Sequence, residues 1–287
     1  MIVVRIVGGL GNQMFQYAAG RALSLRLGVP LKIDLSAYES YTLRTYGLSH
    51  FDISAEVADM GERVEGNSLS LMGRIRRRLG LGTHLAIYRE KGLEFDPLML
   101  RLADGTYLDG YWQSERYFKD IADRIRKDFT IRSAPSEQNE FTLKQIMSTE
   151  AVSIHIRRGD YISDSKTNSV HGVCELGYYQ SAMDLIARQL SQPPHVFVFS
   201  DDPVWVHKNL NLKHPMTFIT HNDANSHYED LRLMSACKHH IIANSSFSWW
   251  GAWLNPSPKK LVVAPKRWFK NQKLSDRDIV PTGWTRL

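Results

Sequence analysis

Cysteine is scarce: only Cys174 and Cys237 occur in 287 residues. That excludes a disulfide framework and a cysteine-built zinc site, and it fits a reducing compartment. No apolar run approaches the roughly 18 residues that a membrane-spanning helix needs. The opening MIVVRIVGG lacks the basic leader, apolar core and small-residue cleavage site of a secretory signal. It reads as a first β-strand, and the expectation is a cytoplasmic protein. A G-x-S-x-G nucleophile turn and a P-loop lysine are both missing, which removes the hydrolase elbow and the Walker-type NTPase. Without zinc-finger spacing or an RNP-type aromatic motif, no nucleic-acid partner is expected.

What is present is ordinary globular material, 43% hydrophobic and 23% charged, with a net charge of +6. The length suits one large domain or two of average size. A basic surplus favours anionic partners such as phosphorylated substrates or an acidic membrane face. Its densest stretch, GRIRRRLG with Arg74, Arg76, Arg77 and Arg78, reads as a solvated face or as a weak contact with the cytoplasmic face of a membrane.

Short β-rich runs alternate with helix-length segments, which argues for parallel sheets with crossover helices. Expected strands are 2–7, 31–33, 106–111, 152–156, 196–199, 217–219, 240–243 and 261–263. Expected helices are 13–27, 176–190, 228–236 and 248–254. The runs VSIHI, HVFVFS and HHIIA do not alternate strictly, as befits strands buried on both faces. One series occupies roughly the first 110 residues and the second begins at Val152. The polar stretch IRSAPSEQNE between them is the best linker. The stretch from 40 to 105 gives the poorest pattern, and its Gly-, Ser- and Arg-rich middle reads as an insertion.

Three segments carry chemistry. In the first, strand 2–7 runs into Gly8-Gly9-Leu10-Gly11-Asn12-Gln13 and a helix. Glycines permit close backbone approach, and a helix start offers unpaired N–H groups. Met14 replaces the third glycine of a dinucleotide fingerprint, while Asp34 stands near that fingerprint's acidic position. A nicotinamide-dependent oxidoreductase is therefore one alternative. Asn12 can both donate to and accept from a polar ligand.

In the second, Val152–Asp160, a period of two puts His155 and Arg157 on one face at a strand's carboxyl end, where open parallel sheets bind ligands. Arg157 and Arg158 suit a diphosphate, which guanidinium groups grip with paired bonds. The plainer reading is an Arg158–Asp160 ion pair that holds a turn.

The third is Ala243–Asn255, a hydroxyl-rich turn opening an amphipathic helix. Ser245, Ser246 and Ser248 can cap that helix or join its N–H groups around phosphate. Trp249, Trp250 and Trp253 read as core packing. Asp230, at the start of the preceding helix, can accept from a nucleoside or favour the helix dipole. His239-His240 and His221-x-Asp223 lack a third metal partner. Asp276-Arg277-Asp278 fits an acid-x-acid metal motif only formally, so no metal is expected. Asp201-Asp202-Pro203 is a helix-start signal and a weaker candidate for a ligand contact. A non-catalytic glycan- or RNA-binding module is the other alternative that charge and tryptophan content allow.

At these residues the chain resembles the α-1,2-fucosyltransferases of glycosyltransferase family 11. The resemblance rests on GGLGNQMFQYAAGRAL near the start, HIRRGD at 155–160 and ANSSFSWWGAWLN at 243–255. It implies an α/β fold of GT-B-like form, with two Rossmann-like lobes whose mainly parallel sheets face an interlobe cleft. Residues 1–140 would form an acceptor-side lobe and residues 141–287 a lobe binding the GDP-sugar, the last twenty or so residues returning to the first lobe. It also implies GDP-fucose as donor, a terminal β-galactoside as acceptor, inversion at the anomeric carbon, no cofactor and no metal. Arg157 would hold the diphosphate, His155 and Asp230 the nucleoside, and Ser246 the β-phosphate, with Asn244, Ser245 and Phe247 in the same turn. Gly9, Gly11, Asn12 and Gln13 would lie near fucose and acceptor. Arg157, Arg158 and Asp160 form the catalytic set, with Asp160 orienting an arginine or taking the hydroxyl proton.

Overall fold

The computed structural model describes residues 1–40, 44–63 and 85–287, and it falls into two compact units, Met1–Thr130 and Ile131–Leu287. The basic stretch at Arg74–Arg78 lies outside the described residues. The division comes ten residues before the expected one. Ser136 accepts from the Asn139 N–H at 3.3 Å and so opens a helix at Glu137, inside the stretch read as linker.

In the first unit, β1 (Ile2–Arg5), β2 (Leu31–Asp34), β3 (Glu56–Val57), β4 (Ala86–Arg89) and β5 (Thr106–Asp109) form a parallel sheet in the order β3-β2-β1-β5-β4. Helix α1 (Leu10–Leu27) starts three residues earlier than its periodicity suggests and ends at Gly28, which takes the left-handed conformation at φ 66°. From Leu10 to Ser24 every residue but Asn12 is buried. The reason is packing on two sides: the sheet on one, the turns Leu48–His50 and Glu115–Tyr117 on the other. Buried polar side chains tie the helix to its surroundings. Tyr17 donates to Asp128 at 2.7 Å, and Arg21 pairs with the same carboxylate at 3.0 Å, tying α1 to α2 (Ala122–Asp128). β3 and β4 escaped sequence reading because they are edge strands whose residues are largely exposed.

In the second unit, β6 (Glu150–Ile156), β7 (Pro194–Ser200), β8 (Met216–Ile219), β9 (His239–Ile241), β10 (Val262–Ala264) and β11 (Thr285–Arg286) form a parallel sheet in the order β11-β10-β9-β6-β7-β8. Its helices are α3 (Glu137–Met147), α4 (Gly159–Ser163), α5 (Ser165–His171), α6 (Leu176–Ala187), α7 (Pro203–Asn209), α8 (His227–Ala236) and α9 (Ser246–Leu254). Val152, Ile154, Val196 and Val198 form the centre of its core with Tyr179, Met183 and Ile186 of α6. The closing residues belong to this unit: β11 pairs with β10, and Trp284 lies 5.4 Å from Trp249.

The second sheet winds outward in both directions from its starting strand, β6; in the first, β1 to β3 run outward on one side, and the chain then crosses to the edge strand β4 and comes back inward to β5 beside the starting strand, β1. Beside each starting strand the order reverses, and open α/β sheets bind ligands at the carboxyl ends there. The reversals fall between β1 and β5 and between β6 and β9.

Candidate active site

The carboxyl end of β6 carries the arginines. Ile156 is registered against Ser200 of β7. One residue further, Arg157 pairs with Asp201 at 3.1 Å. Asp201 also accepts from the Arg158 N–H at 2.8 Å. A Cβ on Gly159 would stand 2.6 Å from the Asp201 carboxylate, so only glycine lets the chain pass this close. Arg157 lies 5.5 Å from the centre of the Tyr161 ring and its side chain keeps 19% exposure.

Arg158 is turned elsewhere. Its guanidinium pairs with Asp202 at 3.3 Å and stacks over Trp205 at 3.3 Å from the ring centre. The Asp202 carboxylate also caps α7, accepting from the Trp205 N–H. The helix-start reading of Asp201-Asp202-Pro203 therefore describes Asp202. Arg158, expected in the catalytic set, is held here by a carboxylate and an indole face, which braces β6 to α7. The Asp160 side chain lies outside the described residues.

β9 adjoins β6 with Ile154 against Ile241, which brings the serine turn beside Arg157's strand. Tyr161 joins the two segments: its hydroxyl donates to the Asn244 carbonyl at 3.1 Å. The Asn244 amide is consumed internally. Its Nδ2 donates to the carbonyls of His171 at 2.9 Å and Trp268 at 3.1 Å, and its Oδ1 accepts from Cys174. Asn244 thus shapes the turn with a buried side chain whose amide is bound to the protein itself. Ser245 is the N-cap of α9 and accepts from the Phe247 N–H, while Ser248 donates back to the carbonyls of Ala243 and Ser245. Two of the three serines are therefore structural. Ser246, half-buried at the first turn of α9, is the hydroxyl this corner presents. Trp249, Trp250 and Trp253 are buried and anchor the helix, as their spacing suggests.

His155 points from β6 onto Phe247, ring centres 5.7 Å apart, and Phe247 meets His227 of α8 at 6.1 Å. Burial drives the His155 imidazole down to about 4; Asp201 opposes that shift and Arg157 adds to it. The ring is neutral near pH 7, and its buried Nδ1 lacks a protein partner. Gln16 Nε2, Trp112 Nε1 and Tyr179 Oη are buried in the same way. Asp230 follows His227 by three residues on α8, which puts the two on one helix face. Asp230 accepts from Asn222 at 2.8 Å, and burial raises its carboxyl to about 7.

The glycine corner of the first unit differs. Gln13 is fully buried. Its Nε2 donates to the Gly8 and Thr45 carbonyls, each at 2.9 Å, and its Oε1 accepts from the Gly47 N–H at 2.9 Å. Expected near the sugar, Gln13 is fully buried here and clamps loop 45–47 through three backbone bonds that use both of its N–H donors. Asp34 is buried too, accepting from Tyr107 at 2.6 Å and the Ser36 N–H, so it is no ribose ligand. Gly8 holds φ 84°, and Gly9 begins α1 without a side-chain cap. Half-buried Asn12 accepts from Gln113 at 2.8 Å across the β1–β5 reversal.

Among the described residues no group of three His, Cys, Asp or Glu side chains could hold a metal ion. Asp276 of the acid-x-acid motif pairs with Arg286 and accepts from the Trp268 N–H. His240 sits between Ser153 and Asn255, and His221 on Asn139, each in a structural bond. No helix among the described residues is long and apolar enough to cross a membrane.

Two Rossmann-like units with parallel sheets give an α/β fold of the GT-B type. The solved fold of the NodZ α-1,6-fucosyltransferase soaked with GDP-fucose agrees at a TM-score of 0.52, with 16% identity, over 89% of this chain and 92% of that one. The model of glycosyl transferase family 11 matches residues 90–287, and the chain belongs to that family. It is 34% identical to the α-1,2-colitosyltransferase of Escherichia coli over 100% of this chain and 99% of that protein. To the O-antigen biosynthesis glycosyltransferase WbnK of Escherichia coli it is 33% identical, over 98% of each. Family membership sets aside the oxidoreductase and the non-catalytic module.

The expected site residues that the second unit brings together are His155, Arg157, Asp230, Ser246 and Phe247. Sequence reading singled out Asp201 but missed its pairing with Arg157, which depends on strand register, and it missed Asn222, Asn139 and Gln113, which carry no motif.

Proposed function

We propose that the protein transfers L-fucose from GDP-β-L-fucose to the 2-hydroxyl of a terminal β-galactoside, with inversion, building an α-1,2 linkage in a surface glycan or O-antigen. The observation that carries this reading is the corner where Arg157 on β6 adjoins the α9 N-terminus on the strand beside it. A departing diphosphate gathers negative charge there. The Arg157 guanidinium and the first-turn N–H groups of α9 stabilise that charge without reorganising, which is where such catalysis gains most. The neutral His155 and the Phe247 ring offer the nucleoside a polar edge and a flat face, and Asp230 an acceptor. As the bond to phosphate lengthens, fucose takes on oxocarbenium character and the acceptor hydroxyl attacks from the opposite face. Asn12 is the proposed sugar contact of the first unit.

A second donor is favoured by the likeness to a colitosyltransferase over the whole chain. Colitose is fucose without its 3-hydroxyl, so the same diphosphate site serves both, and the choice falls to contacts with that one group. Incubation with GDP-fucose and GDP-colitose in competition, over a panel of β-galactosides, followed by linkage analysis, tests the reading. An α-1,2-fucosylated galactoside is expected. Product from GDP-colitose alone would transfer the assignment to that donor, and no product from either on any galactoside would end it.

Charge balance by Arg157 and a helix terminus is a metal-free arrangement, and turnover is expected to persist in excess EDTA. Loss with EDTA, restored by magnesium or manganese, would overturn this part. The site of action is proposed as the cytoplasm, at the inner membrane face where lipid-linked glycans are built.

A further inference from the structure

A chain of amides reaches Asp230 from the side of α3. The Asn139 Nδ2 donates to Ser136 Oγ at 3.1 Å and to Asn222 Oδ1 at 2.9 Å. Its Oδ1 accepts from Asn222 Nδ2 at 3.2 Å and from His221 Nε2 at 2.8 Å. The two amides thus grip each other reciprocally, and only one orientation of Asn222 satisfies the pair. In that orientation Asn222 Nδ2 also donates to Asp230 Oδ1 at 2.8 Å. Asn139 is 2% exposed, so a reversed amide there would leave buried groups unpaired.

We propose that Asn222, locked by Asn139, is a positioning residue for donor binding: it fixes the Asp230 carboxylate and favours its ionised form, the form able to accept the N–H donors of a purine base. This rests on the reading that a GDP-sugar occupies the site.

The surrounding charges are few. Burial raises the Asp230 carboxyl to about 7; the Asn222 N–H opposes that rise and the Glu229 charge adds to it. Glu229 is itself paired with Arg232 at 2.7 Å. From α3 the ionisable groups are Glu137, Glu140 and Lys144, the last two paired with each other at the surface. The loop before α8 brings His221 and Asp223. His221 donates to Asn139 whether or not it carries a second proton. α9, which packs on α8, has no acidic or basic residue. His155 is neutral down to about 4 and is silent in this range. His227, one turn before Asp230, is the remaining group to separate.

The sign follows from linkage. If only ionised Asp230 binds the base, protonation below about pH 7 competes with GDP, and affinity falls about tenfold per pH unit well below the midpoint. Removing the Asn222 donor raises the midpoint. Calorimetric GDP titrations between about pH 6 and pH 9 read this directly. An upward shift of about one unit in Asn222→Leu would weaken binding about fivefold at pH 7 and leave it within about twofold of wild type at pH 9. Asn139→Leu shifts the midpoint the same way by less, Asp230→Asn flattens the profile at weak affinity, and His227→Asn keeps the wild-type midpoint. Thermal melts confirm folding, with Asn222→Ser as the milder substitute. A pH-independent loss in the Asn222 variants, no loss, or a flat wild-type profile would each overturn the proposal while leaving donor binding standing. Failure of the wild type to bind GDP at any pH would instead remove the functional reading beneath it.

Discussion

At the carboxyl end of β1 the chain closes on itself. Gln13 takes up Gly8, Thr45 and Gly47, Asn12 meets Gln113, and Asp34 answers Tyr107. At the carboxyl end of β6 the same kind of strand-to-helix corner carries a different set of groups: a neutral His155, a partly exposed Arg157 opposite Asp201, and a carboxyl raised to about 7 at Asp230. Both corners stand at a strand-order reversal of a parallel sheet. Topology therefore offers two sites, and they differ in what they hold: amides that bind their own backbone in the first, an arginine, an imidazole and a raised carboxyl in the second.

The sharpest way to break that contrast is at Arg157. Lysine there keeps the charge opposite Asp201 but loses the planar fork. Arg157→Lys is expected to lower kcat by about 10²–10³-fold, about 2.7–4 kcal/mol of transition-state stabilisation, with an unchanged melting temperature. Steady-state kinetics beside a thermal melt reads both quantities. Near-wild-type turnover would take Arg157 out of the mechanism.

The mirror experiment is Gln13→Ala in the first unit. Losing the amide strands the Thr45 carbonyl and the Gly47 N–H and leaves a small void, a cost of about 2–4 kcal/mol in stability. Urea unfolding followed by fluorescence is expected to show it, with the donor KM unaltered in protein that remains folded. A raised KM with unchanged stability would return Gln13 to the ligand surface and erase the distinction between the two corners.

Much of this was legible in the residues. β6 and β7 announce themselves because strands buried on both faces are continuous apolar runs, and α9 because a serine cap precedes three buried tryptophans. The edge strands β3, β4 and β11 were invisible, since exposed edges need no apolar pattern. The carboxyl-end placement of His155 and Arg157 followed from a period of two. What each of them touches did not follow. Arg157 finds Asp201 only through the β6–β7 register, and Asn139 finds Asn222 across 83 positions of chain. Gln13 and Asn244 read as ligand groups because a short polar side chain beside a tight turn has the same sequence signature whether it faces a substrate or the backbone. Folding decides which, by supplying or withholding carbonyls.

The finest test lies within the second corner, between two adjacent arginines that the sequence treats alike. Arg158 is held by Asp202, itself 36% exposed, and by the Trp205 face. A pair in that setting contributes at most about 1 kcal/mol, and stacking on an indole adds a similar amount. Arg158→Gln preserves length and hydrogen-bonding capacity while removing charge. It is expected to lower stability by about 1 kcal/mol and to leave kcat within about threefold of wild type, because the Asp201 contact uses the Arg158 backbone N–H and survives the change. A drop in kcat comparable to that of Arg157→Lys would show that Arg158 leaves Trp205 when the donor binds. Both guanidiniums would then grip the diphosphate, and the brace seen here would be the resting position of a catalytic group.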